Sequence, residues 1–227
     1  MNSLAIYRKL LSHYGSQGWW PASGGFRPRE WEICVGAILT QNTSWNNVEK
    51  ALLNLRKNNC VSVKGMIDVD TRRLENMIKP SGFFRQKADR LKILASFVNS
   101  FSKSGDKIAG RHSGSFEDFR RNVTREGLLG VKGIGPETAD SILLYACGRP
   151  YFVVDAYTRR IFHRLGLLEH NLDYEKTRNF FESSLPKDAN LYNEFHALIV
   201  NLGKDTCRKK PLCSQCPLER VCRKRGV

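Results

Sequence analysis

The segment from Leu128 to Leu165, LLGVKGIGPETADSILLYACGRPYFVVDAYTRRIFHRL, restricts the fold more than any other part of the chain. Its pattern predicts a helix ending near Leu129. A glycine hairpin, Gly130-Val131-Lys132-Gly133-Ile134-Gly135, then reverses the backbone. Pro136 is the expected first residue of the next helix, where a fixed φ suits the geometry and a missing N–H costs nothing. Ala139, Ile142, Leu143 and Ala146 recur at i, i+3, i+4 and i+7, so this helix buries one face. Without side chains, Gly133 and Gly135 let a phosphate approach the backbone, where the amides of a helix start would meet it. An ordinary glycine-capped turn between two helices has the same outline, and the hairpin alone does not separate the two.

Beyond Gly148-Arg149-Pro150, the apolar run Tyr151 to Val154 leads to Asp155, which opens a helix through Ile161 and Leu165. Helical periodicity runs through the rest of the chain, and β-branched alternation is almost absent, so the fold class is all-α. Leu4, Tyr7, Leu11 and Tyr14 predict a first helix, and a glycine-flanked loop then carries Trp19-Trp20-Pro21. Two adjacent tryptophans are either a core plug or a stacking platform for a base. Trp31, Cys34, Val35 and Ile38 form one buried face, and Val48, Ala51, Leu52 and Leu55 another, with the polar break Thr40-Gln41-Asn42-Thr43 between them. Asp70 is the expected cap of a helix holding Leu74, Met77 and Ile78. Phe83 and Phe84 are expected in the core. The helix from Arg85 to Phe101 presents Arg85, Lys87, Arg90 and Lys92 as a solvated face. Ser102 to Ser115 is expected to be a flexible loop, and Phe116, Phe119 and Val123 mark the first helix of the hairpin motif. Two further helices are expected over about Tyr174–Leu185 and through Leu191, Phe195, Leu198 and Leu202.

Lys and Arg outnumber Asp and Glu, giving a formal net charge of +15. A surplus of that size points to a polyanion, DNA or RNA. No long apolar segment and no signal-peptide core are present, so no membrane partner is expected and the location expected is cytoplasmic. Disulfides are disfavoured there, and clustered cysteines read as metal ligands. Cys207, Cys213, Cys216 and Cys222 have the spacing C-x5-C-x2-C-x5-C, which suits either a four-thiolate zinc or a [4Fe–4S] cluster. Cys34, Cys60 and Cys147 are expected to pack as small hydrophobes.

The blocks G-I-G-P-E-T-A-D and V-D-A-Y-T-R-R-I, with the C-terminal cysteines, resemble the helix–hairpin–helix DNA glycosylases of the endonuclease III superfamily over nearly the whole chain. The resemblance implies a two-lobed fold. A six-helix barrel would cover 27–147, including the hairpin, and residues 1–26 with 148–227 would form the second lobe. It implies that the hairpin, with Lys132, Gly133 and Gly135, binds backbone phosphate, and that Asp155 is the catalytic carboxylate. It also implies a [4Fe–4S] cluster in the 207–222 loop. The first cysteine spacing is one residue shorter than usual in the family, which keeps zinc as the alternative. Arg208, Lys209 and Lys210 lie inside that loop, where phosphates would meet them. Gln41 matches the glutamine that enters the gap left by a flipped nucleotide, with Ile38 in place of the family's leucine.

Glu137 stands where bifunctional members carry a Schiff-base lysine, and a carboxylate cannot form an imine. Lys132 and Lys204 do not match that position. The base pocket would use Trp19, Trp20 and Trp45, a combination most like the endonuclease III-type 3-methyladenine glycosylases. An alkylated purine is a good leaving group and, being cationic, is drawn to electron-rich rings. The expectation is a monomeric, monofunctional base-excision glycosylase acting on double-stranded DNA with a damaged base, an alkylated purine. The alternatives are a pyrimidine- or mismatch-directed enzyme with lyase activity, and a non-catalytic iron–sulfur DNA-binding protein.

Overall fold

The computed structural model describes residues 2–20, 24–101 and 114–227. Among these, the regular elements are helical, apart from one isolated bridge between Arg27 and Ser62. In chain order the helices are α1 (Ser3–Tyr14), α2 (Arg29–Leu39), α3 (Trp45–Lys57), α4 (Val63–Asp68), α5 (Thr71–Ile78) and α6 (Phe84–Asn99). They continue as α7 (Gly114–Asn122), α8 (Arg125–Leu129), α9 (Pro136–Ser141), α10 (Ala156–Leu165), α11 (Tyr174–Ser184) and α12 (Ala189–Asp205). Short polar side chains start many of them. Asn2, Ser62, Asp70, Thr124, Asp155, Asp173 and Asp188 each accept the backbone N–H three residues on. A cap of this kind contributes about 1 kcal/mol. None of the described helices is long and apolar enough to cross a membrane.

The chain divides into two compact units, Trp20–Cys147 and Met1–Trp19 with Gly148–Val227. In the first, α2 is the central helix, buried from Trp31 to Leu39 and packed against α3, α6 and α9. Its one acidic side chain in that run, Glu32, is fully buried and accepts the N–H of Gly24 at 3.1 Å. In the second, α1, α10 and α11 surround an aromatic core in which Phe152 stacks on Phe181 at 4.1 Å, with Phe162, Tyr192 and Phe195 around them.

Four local expectations are corrected. Lys87 is 1% exposed, because its ammonium donates to the carbonyls of Leu39 (2.9 Å) and Ser81 (2.7 Å), two turn-end acceptors that need a donor. Phe83 is 66% exposed instead of packed; it precedes α6 in the left-handed region (φ 45°), which turns its ring away from the helix face. The α7 helix is not the first helix of the hairpin motif; the chain restarts at Thr124, and the short α8 takes that role. Cys147 is only half-buried, whereas Cys34 and Cys60 are buried as expected. The loop expected from Ser102 lies, up to residue 113, outside the described residues, as does Pro21.

Candidate active site

The hairpin is built from two successive turns, with Val131 N–H on Leu128 O and Ile134 N–H on Val131 O, each at 3.0 Å. Leu128, Val131 and Ile134 anchor it through buried side chains, while Lys132 and Gly135 are exposed. Gly133 sits at φ +88°, a conformation that favours glycine, and a Cβ there would lie 2.5 Å from Arg90 Cγ and displace that side chain. Space around Gly135 is open. Across the hairpin, Arg125 Nε meets Asp140 Oδ1 at 2.6 Å, and its Nη2 meets Oδ2 at 3.2 Å. This buried two-pronged pair ties α8 to α9 and fixes the angle at which the hairpin emerges.

Gln41 lies directly on this motif. Its amide donates to Gly133 O (3.1 Å) and Thr138 Oγ1 (3.0 Å), and its Oε1 accepts from Arg90. The structure therefore joins Gln41 to the hairpin, a link the sequence did not reveal because the partners are distant in the chain. Glu137 occupies the exposed first turn of α9.

After α9 the chain continues as a π-helical turn, Ile142–Ala146. Turns of this type re-aim side chains and recur at functional sites. Tyr145, within it, lies 5.2 Å from Trp20, and Trp45 meets Trp20 edge-on at 5.3 Å. Trp20 rests against α2 at Gly36, where a Cβ would come within 3.1 Å of the indole. Trp20 and Trp45 are thus brought together, with Tyr145 as a third ring that the apolar periodicity had hidden. Trp19 belongs to the other compact unit, where Lys204 lies 5.9 Å from its ring centre.

Asp155 caps α10: Oδ1 accepts the Thr158 N–H at 2.7 Å and the Thr158 hydroxyl at 2.8 Å. Its other oxygen, Oδ2, faces His196 Nε2 at 3.7 Å, an ion-pair rather than a hydrogen-bond distance. Burial alone would push the carboxyl up. The His196 contact and the two Thr158 donors outweigh it and hold Asp155 below the usual aspartate value. The result is a carboxylate that stays ionised with its side chain only 14% exposed.

The four C-terminal cysteines line one cavity, together with Arg164, Thr206 and Lys224. Arg164 Nη1 reaches Cys207 Sγ at 3.5 Å, and the Lys224 N–H reaches Cys222 Sγ at 3.4 Å. Burial and the neighbouring thiols raise the pKa of Cys216 and Cys222. Among the described residues, no three His, Cys, Asp or Glu side chains close on a single ion. Arg208 is exposed and donates to Lys204 O and Asp205 O, while Lys209 and Lys210 are exposed on the same loop.

Residues 35–187 match the family described as the HhH-GPD superfamily base excision DNA repair protein, and the chain belongs to that superfamily of DNA glycosylases. A protein of Methanocaldococcus jannaschii, provisionally named as the DNA repair glycosylase MJ1434, is 44% identical, covering 96% of this chain and 94% of its own. Endonuclease III of Thermotoga maritima is 28% identical over 86% of this chain and 84% of its own. Among solved structures, the Helicobacter pylori 3-methyladenine DNA glycosylase MagIII, bound to 1,N6-ethenoadenine, is 32% identical with a TM-score of 0.75. That match covers 90% of this chain and 98% of MagIII. An endonuclease III–DNA complex shares the fold at 19% identity, TM-score 0.77, over 99% of this chain and 96% of its own.

Proposed function

We propose that this glycosylase is monofunctional and hydrolyses the N-glycosidic bond of an alkylated purine flipped out of duplex DNA. The observation that carries this reading is the state of Asp155, an ionised, half-buried carboxylate with Oδ1 engaged by Thr158. As the base departs, positive charge develops on the sugar. A preorganised anion stabilises that charge and orients the water that adds to the sugar carbon. Glu137, at the position of the Schiff-base lysine in bifunctional members, supplies no amine for an imine. Similarity to MagIII, a 3-methyladenine DNA glycosylase, supports an alkylated purine as the base, with Trp20, Trp45 and Tyr145 as rings to stack on it and Trp19 as a further aromatic.

The hairpin, with Lys132, Gly133 and Gly135, would take the DNA backbone, and Arg208, Lys209 and Lys210 would meet further phosphates. Gln41, released from the hairpin, would fill the gap left by the flipped nucleotide. The protein acts as a monomer on duplex DNA with a damaged base. Cys207, Cys213, Cys216 and Cys222 fit a [4Fe–4S] cluster: all four line one cavity, and two of their sulfurs already receive N–H groups. When bound, the cluster would cross-link the C-terminal loop.

The test is single-turnover excision on a methylated duplex, with borohydride trapping in parallel. Wild type should release free base, leave a strand that breaks only in alkali, and yield no protein–DNA adduct. Asp155→Asn should lose excision while still binding an abasic analogue. A strong adduct that disappears when Lys132 or Lys204 is replaced would assign the enzyme lyase chemistry instead.

A further inference from the structure

The Asp155 carboxylate is not set by its own helix alone. Helices α10 and α12 pack against one another at Gly203, where a Cβ would come within 2.3 Å of the Tyr157 ring, so the ring lies directly on the α12 backbone in the space a side chain would take. Arg160 locks the contact by donating to Gly203 O (3.1 Å) and Cys207 O (2.9 Å). His196 lies two turns before Gly203, on the same face of α12. That spacing brings a buried imidazole to the start of α10 and to Oδ2 of Asp155, at 3.7 Å. The two oxygens of the carboxylate are thereby divided: Oδ1 belongs to Thr158, and Oδ2 is the one that His196 faces.

We infer that His196 is a positioning residue for base excision: through Nε2 it fixes the orientation and the charge of the Asp155 carboxylate that faces the developing sugar cation. The inference rests on the catalytic reading of Asp155. The chemistry follows from the contacts. Burial raises the pKa of a carboxyl, so without a compensating contact the negative charge would be lost at a higher pH. With its proton on Nε2, the imidazole would favour the anion across 3.7 Å, and because it is buried on α12 it does not rotate away as a solvent contact would. His196 is the ionisable side chain acting on Asp155, and the Thr158 N–H and hydroxyl are the other contributors. Arg159 and Arg160, on the same helix, are directed elsewhere, to Leu172 O and to Gly203 O and Cys207 O.

Two readouts test this on the full-length holoprotein. The first is the pKa of the Asp155 carboxyl, followed by carbon-13 NMR of aspartate-labelled protein and assigned with Asp155→Asn. The second is the acid limb of the pH profile for single-turnover release of 3-methyladenine from dimethyl sulfate-treated duplex. In His196→Ala both should move upward together by about one pH unit, a loss of roughly tenfold in rate at a pH on the limb. His196→Gln, which keeps an N–H donor, should recover most of that loss. His196→Phe keeps the ring volume without the donor and should behave as the alanine variant, including where alanine does not fold. An unchanged carboxyl pKa and acid limb in the alanine and phenylalanine variants would reduce His196 to a packed core residue. If Asp155→Asn stays active, the catalytic reading of Asp155 fails, while the NMR titration still decides whether His196 governs that carboxyl.

Discussion

Replacing Lys87 with methionine should make stability respond to pH in a direction opposite to that expected for a surface lysine. The ammonium is buried and bonded to Leu39 O at 2.9 Å and Ser81 O at 2.7 Å. Burial, and then the nearby Arg90 charge, lower its pKa from 10.5 to about 8. A drop of that size corresponds to roughly 3 kcal/mol between the two protonation states. With the folded value below the unfolded one, the unfolded chain binds more protons between them. The stability this group contributes is therefore complete above pH 10.5 and is lost as pH falls to about 8. At neutral pH, Lys87→Met loses two charge-assisted hydrogen bonds but also relieves a desolvated charge. Each effect is about 1–3 kcal/mol, and the net loss should be on the order of 1 kcal/mol.

The decisive quantity is the gap between wild type and Lys87→Met in urea unfolding at a series of alkaline pH values. Taking the gap cancels groups common to both proteins, such as Tyr14, which burial pushes up to about 12. It should widen by up to ~3 kcal/mol as pH rises from about 8 to 10.5. A gap that stays flat or narrows would refute the buried-ammonium argument. The site is also involved, because Leu39 closes α2 just before Gln41.

Three further outcomes are expected. Protein purified anaerobically should contain iron and sulfide, and Cys213→Ala or Cys216→Ala should lose both and leave the C-terminal loop open to protease; zinc without iron would overturn the cluster. Lys209→Ala with Lys210→Ala should lower the salt dependence of binding to an abasic-analogue duplex by about one unit of slope for each phosphate that is no longer neutralised, whereas an unchanged slope would remove these lysines from the DNA interface. Gly133→Ala should cost about 1 kcal/mol or more in thermal stability, since alanine is strained at that φ, and should weaken duplex binding by displacing Arg90; a variant with wild-type melting and affinity would contradict the fit of the hairpin.

What the sequence revealed and what it hid follow from the range of the forces involved. Pro136 at a helix start and Asp70 as a cap were legible because a cap is a contact across three residues. The buried face of α3 was legible because periodicity is also local, whereas α2, buried at every position from Trp31 to Leu39, has more than the one buried face its periodicity marked. Lys87 was not, because its burial is decided by carbonyls at Leu39 and Ser81 rather than by its helical neighbours. Phe83 was misread because no composition rule signals a positive φ at a phenylalanine. Tyr145 was hidden by the π turn, which breaks the 3.6-residue spacing that periodicity assumes. His196 was hidden because a lone histidine among Phe195, Ala197 and Leu198 reads as core until α10 is packed beside it.

The same logic explains why Asp155 and the cysteine loop belong to one mechanical unit. Helix α10 has ten residues, with Asp155 capping its first turn. Toward the other end, Arg160 donates to Cys207 O, and Arg164 donates to Arg208 O (2.6 Å) and Lys209 O (3.0 Å). Arg164 is buried, so these are contacts with a strong preference for staying made. The Cys222 thiol and the Arg225 N–H in turn meet Arg164 O. A carboxylate held at the start of a helix is only as well oriented as the helix axis, and this axis is pinned at its far end by the segment that carries the four cysteines. Order in that segment and the aim of Asp155 are therefore coupled through one short rigid element, although cysteine and carboxylate never touch.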